Sequence, residues 1–183
     1  GPTRAESLDL FPGRPGEPVL VFIHGGYWRL GAAGDFSVLA AGPAAHGVAV
    51  AVIDYALCPA VTIDEITRQS RAAVAWLWHN AGDLGIDRER IVIAGHSAGG
   101  QQVGMLLATD WPGQYGLPAD VVKGALAISG VFDLRPLRQQ LRTVRFEPLL
   151  QRLDLVVGGH ASRMDQSADL LLPFEQRCSA LGL

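Results

Sequence analysis

Ile91-Val92-Ile93-Ala94-Gly95-His96-Ser97-Ala98-Gly99-Gly100 is the stretch on which the fold turns. Ile91 to Ala94 is a short, continuous apolar run and reads as a buried strand; Gly95 to Gly100 is a glycine-rich turn, and Gln101 to Ala108 continues as a helix. A strand that breaks through G-x-S-x-G into a helix is the context a nucleophile elbow requires. There, small residues at Gly95 and Gly99 let strand and helix approach closely, while the serine sits on a strained turn. Ser97 Oγ then projects above the sheet, and the Ala98 N–H, at the start of the helix, points at a developing oxyanion. Taken alone, such a turn can equally be a tight connection or an anion-binding loop. It is not a Walker loop, since no Lys follows the glycines, and it lacks the G-x-G-x-x-G dinucleotide pattern.

Working outward, Val19 to Ile23 is a second apolar strand, preceded by the Pro/Gly-rich Phe11 to Pro18 and stopped by Gly25 and Gly26. Asp35 to Ala45 is helix-like, with Pro43 ending or kinking it, and Gly47 opens a strand over Val48 to Ile53. Thr62-Ile63-Asp64-Glu65 is a capping box, from which Ile66, Ala73, Val74, Leu77 and Trp78 recur at helical spacing until Gly82. Beyond the elbow, Gly124 to Ser129, Leu134 to Val144, Leu153 to Val157 and Asp165 to Leu181 read as strand, helix, strand and helix, with Pro173 kinking the last. Fully apolar strands alternating with helices predict an α/β fold: a mostly parallel sheet with helices on both faces and the functional loops at the strands' carboxyl ends.

At 183 residues the chain has the length of one domain, and with no repeat or linker it is expected to form a single domain over 1–183. Hydrophobic residues at 49% against 18% charged, together with a mean hydropathy of +0.21, exclude a disordered chain. Gly, Pro, Asp or Arg punctuates every apolar run, so none reaches the roughly 18 residues of a membrane span. A net charge of -3 offers no basic face to nucleic acid or an anionic membrane, which points to a small-molecule partner. Arg135, Arg138, Arg142 and Arg145, at near-helical spacing, read as a solvated helix face. Cys58 and Cys178 fit neither a disulfide framework nor a metal spacing, so a cytoplasmic protein without metal or cofactor is expected; a homodimer is compatible with the sequence. The Gly1-Pro2 start reads as a trimmed terminus, and the chain is expected to be incomplete at both ends.

His24-Gly25-Gly26-Tyr27-Trp28 follows the first strong strand. Two glycines there allow backbone N–H groups to reach a tetrahedral intermediate with no Cβ in the way, the role of HGGG-type loops. The order strand, HGGYW, strand, Asp54-Tyr55, capped helix, strand, GHSAGG resembles the α/β-hydrolase superfamily. Within it, the pattern is similar to the kynurenine formamidase (arylformamidase) branch near the hormone-sensitive-lipase-like esterases. The resemblance covers roughly Leu8 to Leu137 and, more loosely, Leu153 to Gly182. Ile128-Ser129-Gly130-Val131-Phe132-Asp133-Leu134 also looks like that branch, although Asp133 equally reads as the cap of a helix with Pro136 in its first turn.

The resemblance implies hydrolysis of an aryl formamide or small ester through an acyl-enzyme on Ser97, with Gly25, Gly26 and Ala98 as oxyanion donors and Tyr27 and Trp28 lining an aromatic-friendly pocket. One departure is Asp54-Tyr55-Ala56-Leu57-Cys58-Pro59-Ala60, where the family often has D-Y-R-L-x-P-E; loop packing rather than chemistry is expected to change. In this fold the acid and base follow the serine in the order Asp/Glu, then His. Asp165 is the only carboxylate in the loop after Leu153 to Val157 and is the acid candidate, though it equally reads as a helix cap. The family's acid position, behind the Gly158-Gly159 pair, holds His160, which is the candidate base. The family's own histidine follows one further strand, so the fold is expected to lack its terminal strand within the 183 residues. His46 and His79 read as surface residues, and His24 and His96 as residues that shape the motif loops. A general carboxylesterase and a non-catalytic hydrolase-fold binding protein are the alternatives.

Overall fold

A computed structural model describes residues 2–135. The helix expected from Leu134, all but its first two residues, the strand at Leu153 to Val157 and the helix at Asp165 to Leu181 lie outside the described residues, as do His160 and Asp165. Five strands, β1 (Leu8–Phe11), β2 (Glu17–Ile23), β3 (Ala49–Ile53), β4 (Ile86–His96) and β5 (Gly124–Ile128), make one sheet in the order β1-β3-β2-β4-β5. The strands from β2 to β5 are parallel, and β1 joins the edge antiparallel to β3. Between them run a 3-10 helix (Ala33–Ala40), α1 (Ala41–Ala45), α2 (Ile63–His79), α3 (Ala81–Leu84), α4 (Ala98–Leu107) and α5 (Trp111–Tyr115).

The central strands are buried on both faces because every residue of β3, and nearly every residue of β2, is apolar. Leu20 and Phe22 of β2, Val50 and Val52 of β3 and Ala94 of β4 cluster with Ala33, Phe36 and Ala40 of the 3-10 helix on one face. The alternate residues Val21, Ile23, Ala51, Ile53, Ile91 and Ile93 turn to the opposite face and are 0% exposed. Each such branched side chain contributes about 1.5–3 kcal/mol through burial.

Several boundaries differ from the sequence expectation. Strand β1 lies just before the Pro/Gly-rich stretch and has only four residues, so only its pairing with β3 reveals it. The helix expected over Asp35 to Ala45 is split into the 3-10 helix and α1, and Pro43 falls in the first turn of α1, where no N–H is required of it. Strand β4 begins at Ile86 because Ile86 pairs with Glu17, carrying the exposed Asp87 to Arg90 with it. Helix α4 begins at Ala98, three residues early, since close packing of Gly99 and Gly100 overrides glycine's poor helix propensity.

Helix α2 starts as the capping box predicts on one side only. Thr62 Oγ1 accepts the Glu65 N–H at 3.2 Å, but the Glu65 carboxylate is turned to Arg68 (2.7 Å) and Gln69 (2.9 Å). Arg68 also holds Glu6 at 2.7 Å, which ties the segment before β1 to this helix.

Candidate active site

Strand register brings the motif residues together. Ile23 of β2 lies beside Ile53 of β3 and Gly95 of β4, and His96 lies beside Ile128 of β5. One residue further along each parallel strand, His24 therefore meets Asp54, and two further along β2, Gly25 meets Ser97. The chain leaves β2 toward β3 on one side and leaves β4 toward β5 on the other, so this pair of strand ends is the topological switch point where α/β sheets bind ligands.

Ser97 is partly exposed and occupies φ 55°, ψ -113°, a conformation that costs a non-glycine residue about 1–3 kcal/mol. Its N–H donates to the Ile128 carbonyl (2.8 Å), and its own carbonyl accepts the Gln101 N–H (3.1 Å), which fixes the turn from both sides. The flanking glycines are sterically required: a Cβ on Gly99 would run into the Ile23 carbonyl oxygen, and one on Gly95 into the Gly99 carbonyl oxygen. A Cβ on Gly25 would stand 2.8 Å from the His96 carbonyl oxygen and 3.3 Å from Ser97 Cβ, so the Gly25 backbone packs directly on the serine turn. Ala98, 0% exposed, opens α4, whose first N–H groups have no partner within the helix.

The HGGYW loop is folded around the Gly26 carbonyl, which accepts the N–H groups of Arg29 (3.0 Å) and Leu30 (2.9 Å). Gly26 has φ 120°, and the next two residues, Tyr27 (φ 56°) and Trp28 (φ 57°), are left-handed as well. For two successive aromatic residues this costs about 1–2 kcal/mol each, so tertiary contacts must hold them. Trp28 is 1% exposed; its carbonyl accepts the Cys58 N–H (2.7 Å) and its indole N–H donates to Gln101 Oε1 (3.3 Å). Of the two residues expected to line a pocket, Tyr27 is thus exposed and Trp28 is packed beneath the loop.

His24 is 0% exposed and stacks between Tyr55 (4.2 Å between ring centroids) and Phe36 (5.5 Å). Its Nδ1–H donates to the Gly25 carbonyl (2.7 Å), and Nε2 faces Asp54 Oδ1 at 3.4 Å. The Tyr55 hydroxyl donates to the His24 carbonyl (2.8 Å), and burial, with Asp54 and Cys58 alongside, pushes that hydroxyl's pKa far above its ordinary value. Burial likewise raises the Cys58 thiol, so it is a poor nucleophile. Asp133, after β5, is held at about 2 by the Arg135 side chain and backbone N–H. His96 is exposed beside Ser97, and among the described residues no side chain hydrogen-bonds Ser97 Oγ. Among the described residues no cluster of three or more His, Cys, Asp or Glu is arranged to hold a metal.

Two features escaped the sequence reading. Gln101 (1% exposed) and Gln102 (0%) are buried together, Gln102 Nε2 donating to Gln101 Oε1 at 2.8 Å. Two adjacent amides on an otherwise apolar helix were the available signal. The other is a cavity of about 490 Å³ between the segment before β1 and α2, lined by Glu6, Leu8, Asp54, Arg68, Gln69 and Trp76. It reaches the carboxylate that backs His24.

Residues 11–115 match the BD-FAE family model, a span that contains HGGYW, the capped helix and the whole elbow. The chain belongs to the BD-FAE family. This BD-FAE chain is an α/β-hydrolase related to the arylformamidases and the hormone-sensitive-lipase-like esterases. It is 29% identical over 166 residues to a kynurenine formamidase of Danio rerio, an alignment covering 89% of this chain and 54% of that protein. It is 40% identical over 84 residues to the carboxylesterase NlhH of Mycobacterium tuberculosis, covering 45% of this chain and 26% of that one. Among solved structures, a candidate thioesterase from Silicibacter sp. tm1040 is 41% identical with a TM-score of 0.62, covering 80% of this chain and 52% of the other. The chain thus spans about half the length, or less, of the curated relatives it matches. Among the described residues of this BD-FAE member, no helix is long and apolar enough to cross a membrane.

Proposed function

We propose that the protein is a serine hydrolase that cleaves an aryl formamide or a small ester through an acyl-enzyme on Ser97. The observation that carries this is the elbow itself: a partly exposed serine in a strained backbone conformation, opening a helix, with the Gly25 backbone packed against it. Ser97 Oγ attacks the carbonyl carbon while its proton passes to a base. The oxygen that gains charge is received by N–H groups of Ala98, Gly25 and Gly26. Collapse expels the amine or alcohol, which takes the proton back from the base, and water then repeats the sequence to release formate or the acid. Asp165 as acid and His160 as base remain proposals from the sequence. Tyr27, exposed at the rim of the loop, is suited to an aryl group; the substrate is a small molecule handled in the cytoplasm.

The similarity to a kynurenine formamidase over 89% of the chain supports the formamide, and the carboxylesterase similarity over the HGG-bearing half supports the ester. A fluorophosphonate probe applied to the full-length protein should label Ser97 and leave Ser97→Ala untouched. Absence of label on the native protein removes the nucleophile assignment. Turnover of an aryl formamide is then compared with that of short p-nitrophenyl esters: hydrolysis of esters alone makes the protein a general carboxylesterase. Ligand binding with no turnover of either makes it a binding protein on a hydrolase fold.

A further inference from the structure

Gln101 stands one helical turn after Ser97 and bonds to both halves of the site. Its backbone N–H donates to the Ser97 carbonyl (3.1 Å), and its side-chain Oε1 receives the Trp28 indole N–H (3.3 Å) from the HGGYW loop. An indole N–H can only donate, so the amide atom facing Trp28 must be the oxygen. Gln102 Nε2 at 2.8 Å from the same oxygen holds the amide in that orientation. Both glutamines are at least 99% buried, and Gln101 Nε2 and Gln102 Oε1 have no partner among the described residues. A buried amide pair left half satisfied opposes folding, whereas an apolar pair of the same size would not. Its placement beneath the strained Tyr27–Trp28 pair points to positioning rather than to core filling.

We infer that Gln101 is a positioning residue for the reaction: a strut from the nucleophile's own helix that holds Trp28 left-handed and so sets the Gly25 and Gly26 N–H groups in register with Ser97. The inference rests on the serine-hydrolase reading for its effect on rate, but not for its effect on the loop. Misplacing donors by a fraction of an ångström raises the barrier without weakening substrate binding, so the loss falls on kcat.

The test compares Gln101→Met, which keeps length and loses the acceptor, with Gln101→Glu, which keeps an oxygen facing both donors. In the full-length protein, Gln101→Met should lower kcat by about tenfold or more with KM within about twofold, and Gln101→Glu should recover most of the rate. Trp28→Phe combined with Gln101→Met should be no slower than the slower single variant, because both remove the same bond. Hydrogen exchange at the amides of residues 25–28 is read in parallel; it should quicken in Gln101→Met and return toward native in Gln101→Glu, with melting curves confirming that each variant is folded. Native exchange in Gln101→Met, equal losses in the Met and Glu variants, or additive losses in the double variant would each overturn the strut. An unlabelled Ser97 in the native protein, with the exchange pattern as expected, would instead remove the serine-hydrolase reading and leave the strut standing.

Discussion

Ser97 carries strain that a glycine would not feel. Its φ of 55° and ψ of -113° oppose its own Cβ, while the bonds to Ile128 and Gln101 that hold it there run through backbone atoms any residue has. Ser97→Gly should therefore remove fluorophosphonate labelling and yet raise the urea midpoint. The relief of about 1–3 kcal/mol outweighs the roughly 0.5–1 kcal/mol of extra backbone entropy that glycine loses on folding. A lower midpoint would mean that Ser97 is not strained. At this scale the sequence was legible where spacing and sterics coincide: Gly95, Ser97 and Gly99 occupy one turn and their requirements are local. Gln101 was not legible, because its significance depends on Trp28, which only the β2–β4 register brings beside it. The burial of Trp28 was hidden for the same reason, since an aromatic next to a glycine pair reads equally well as pocket lining.

Among the elements, α2 shows how a cap signal can be half right. Thr62 caps the helix as its sequence suggests, but Arg68 draws the Glu65 carboxylate away and gathers Glu6 with it. The Arg68 bond holds the Glu65 carboxyl below the ordinary carboxylate range. Burial alone would raise Glu6, but bonds from Arg68 and Thr3 outweigh it and hold Glu6 low as well. A carboxyl depressed in the folded state contributes stability above its unfolded pKa of about 4.3 and loses it as pH falls through the folded value. Native protein should thus exceed Arg68→Met in stability at neutral pH, by about 1 kcal/mol or less because Arg68 is 42% exposed. The gap should close on acidification below about pH 4, as read from urea unfolding at a series of pH values. A gap independent of pH would assign the effect to the packing of the Arg68 stem. Long periodic elements such as α2 were legible in the sequence. Strand β1 was not, because four residues hold little pattern until β3 supplies a partner.

Taken whole, the described residues leave one part of the sheet thinly covered. The residues of β5, Gly-Ala-Leu-Ala-Ile, are apolar on both faces, as in a strand buried from both sides, yet Leu126 and Ile128 are each 42% exposed and the following Phe132 is 47% exposed. A chain ended after Arg135 should expose this surface, bind a hydrophobic dye and self-associate in size-exclusion chromatography, whereas the full-length protein should not. A monomeric, dye-silent truncated chain would show that the strand tolerates solvent. The α/β class and the location of the site at the strands' carboxyl ends could be read from hydrophobic runs alone, because burial on both faces imposes them. The antiparallel edge and the exposure of β5 could not, since both depend on which strands become neighbours.

The close approach of Gly99 to the Ile23 carbonyl also bears on time. The serine turn and the glycine loop belong to strands far apart in the chain, and neither can reach its final form until β2 and β4 have docked in register. Such distant pairings are the slow steps of folding in parallel sheets. The moment at which a refolding chain first accepts a fluorophosphonate is therefore a clock for the joining of two strands, readable in a protein whose natural substrate has yet to be identified.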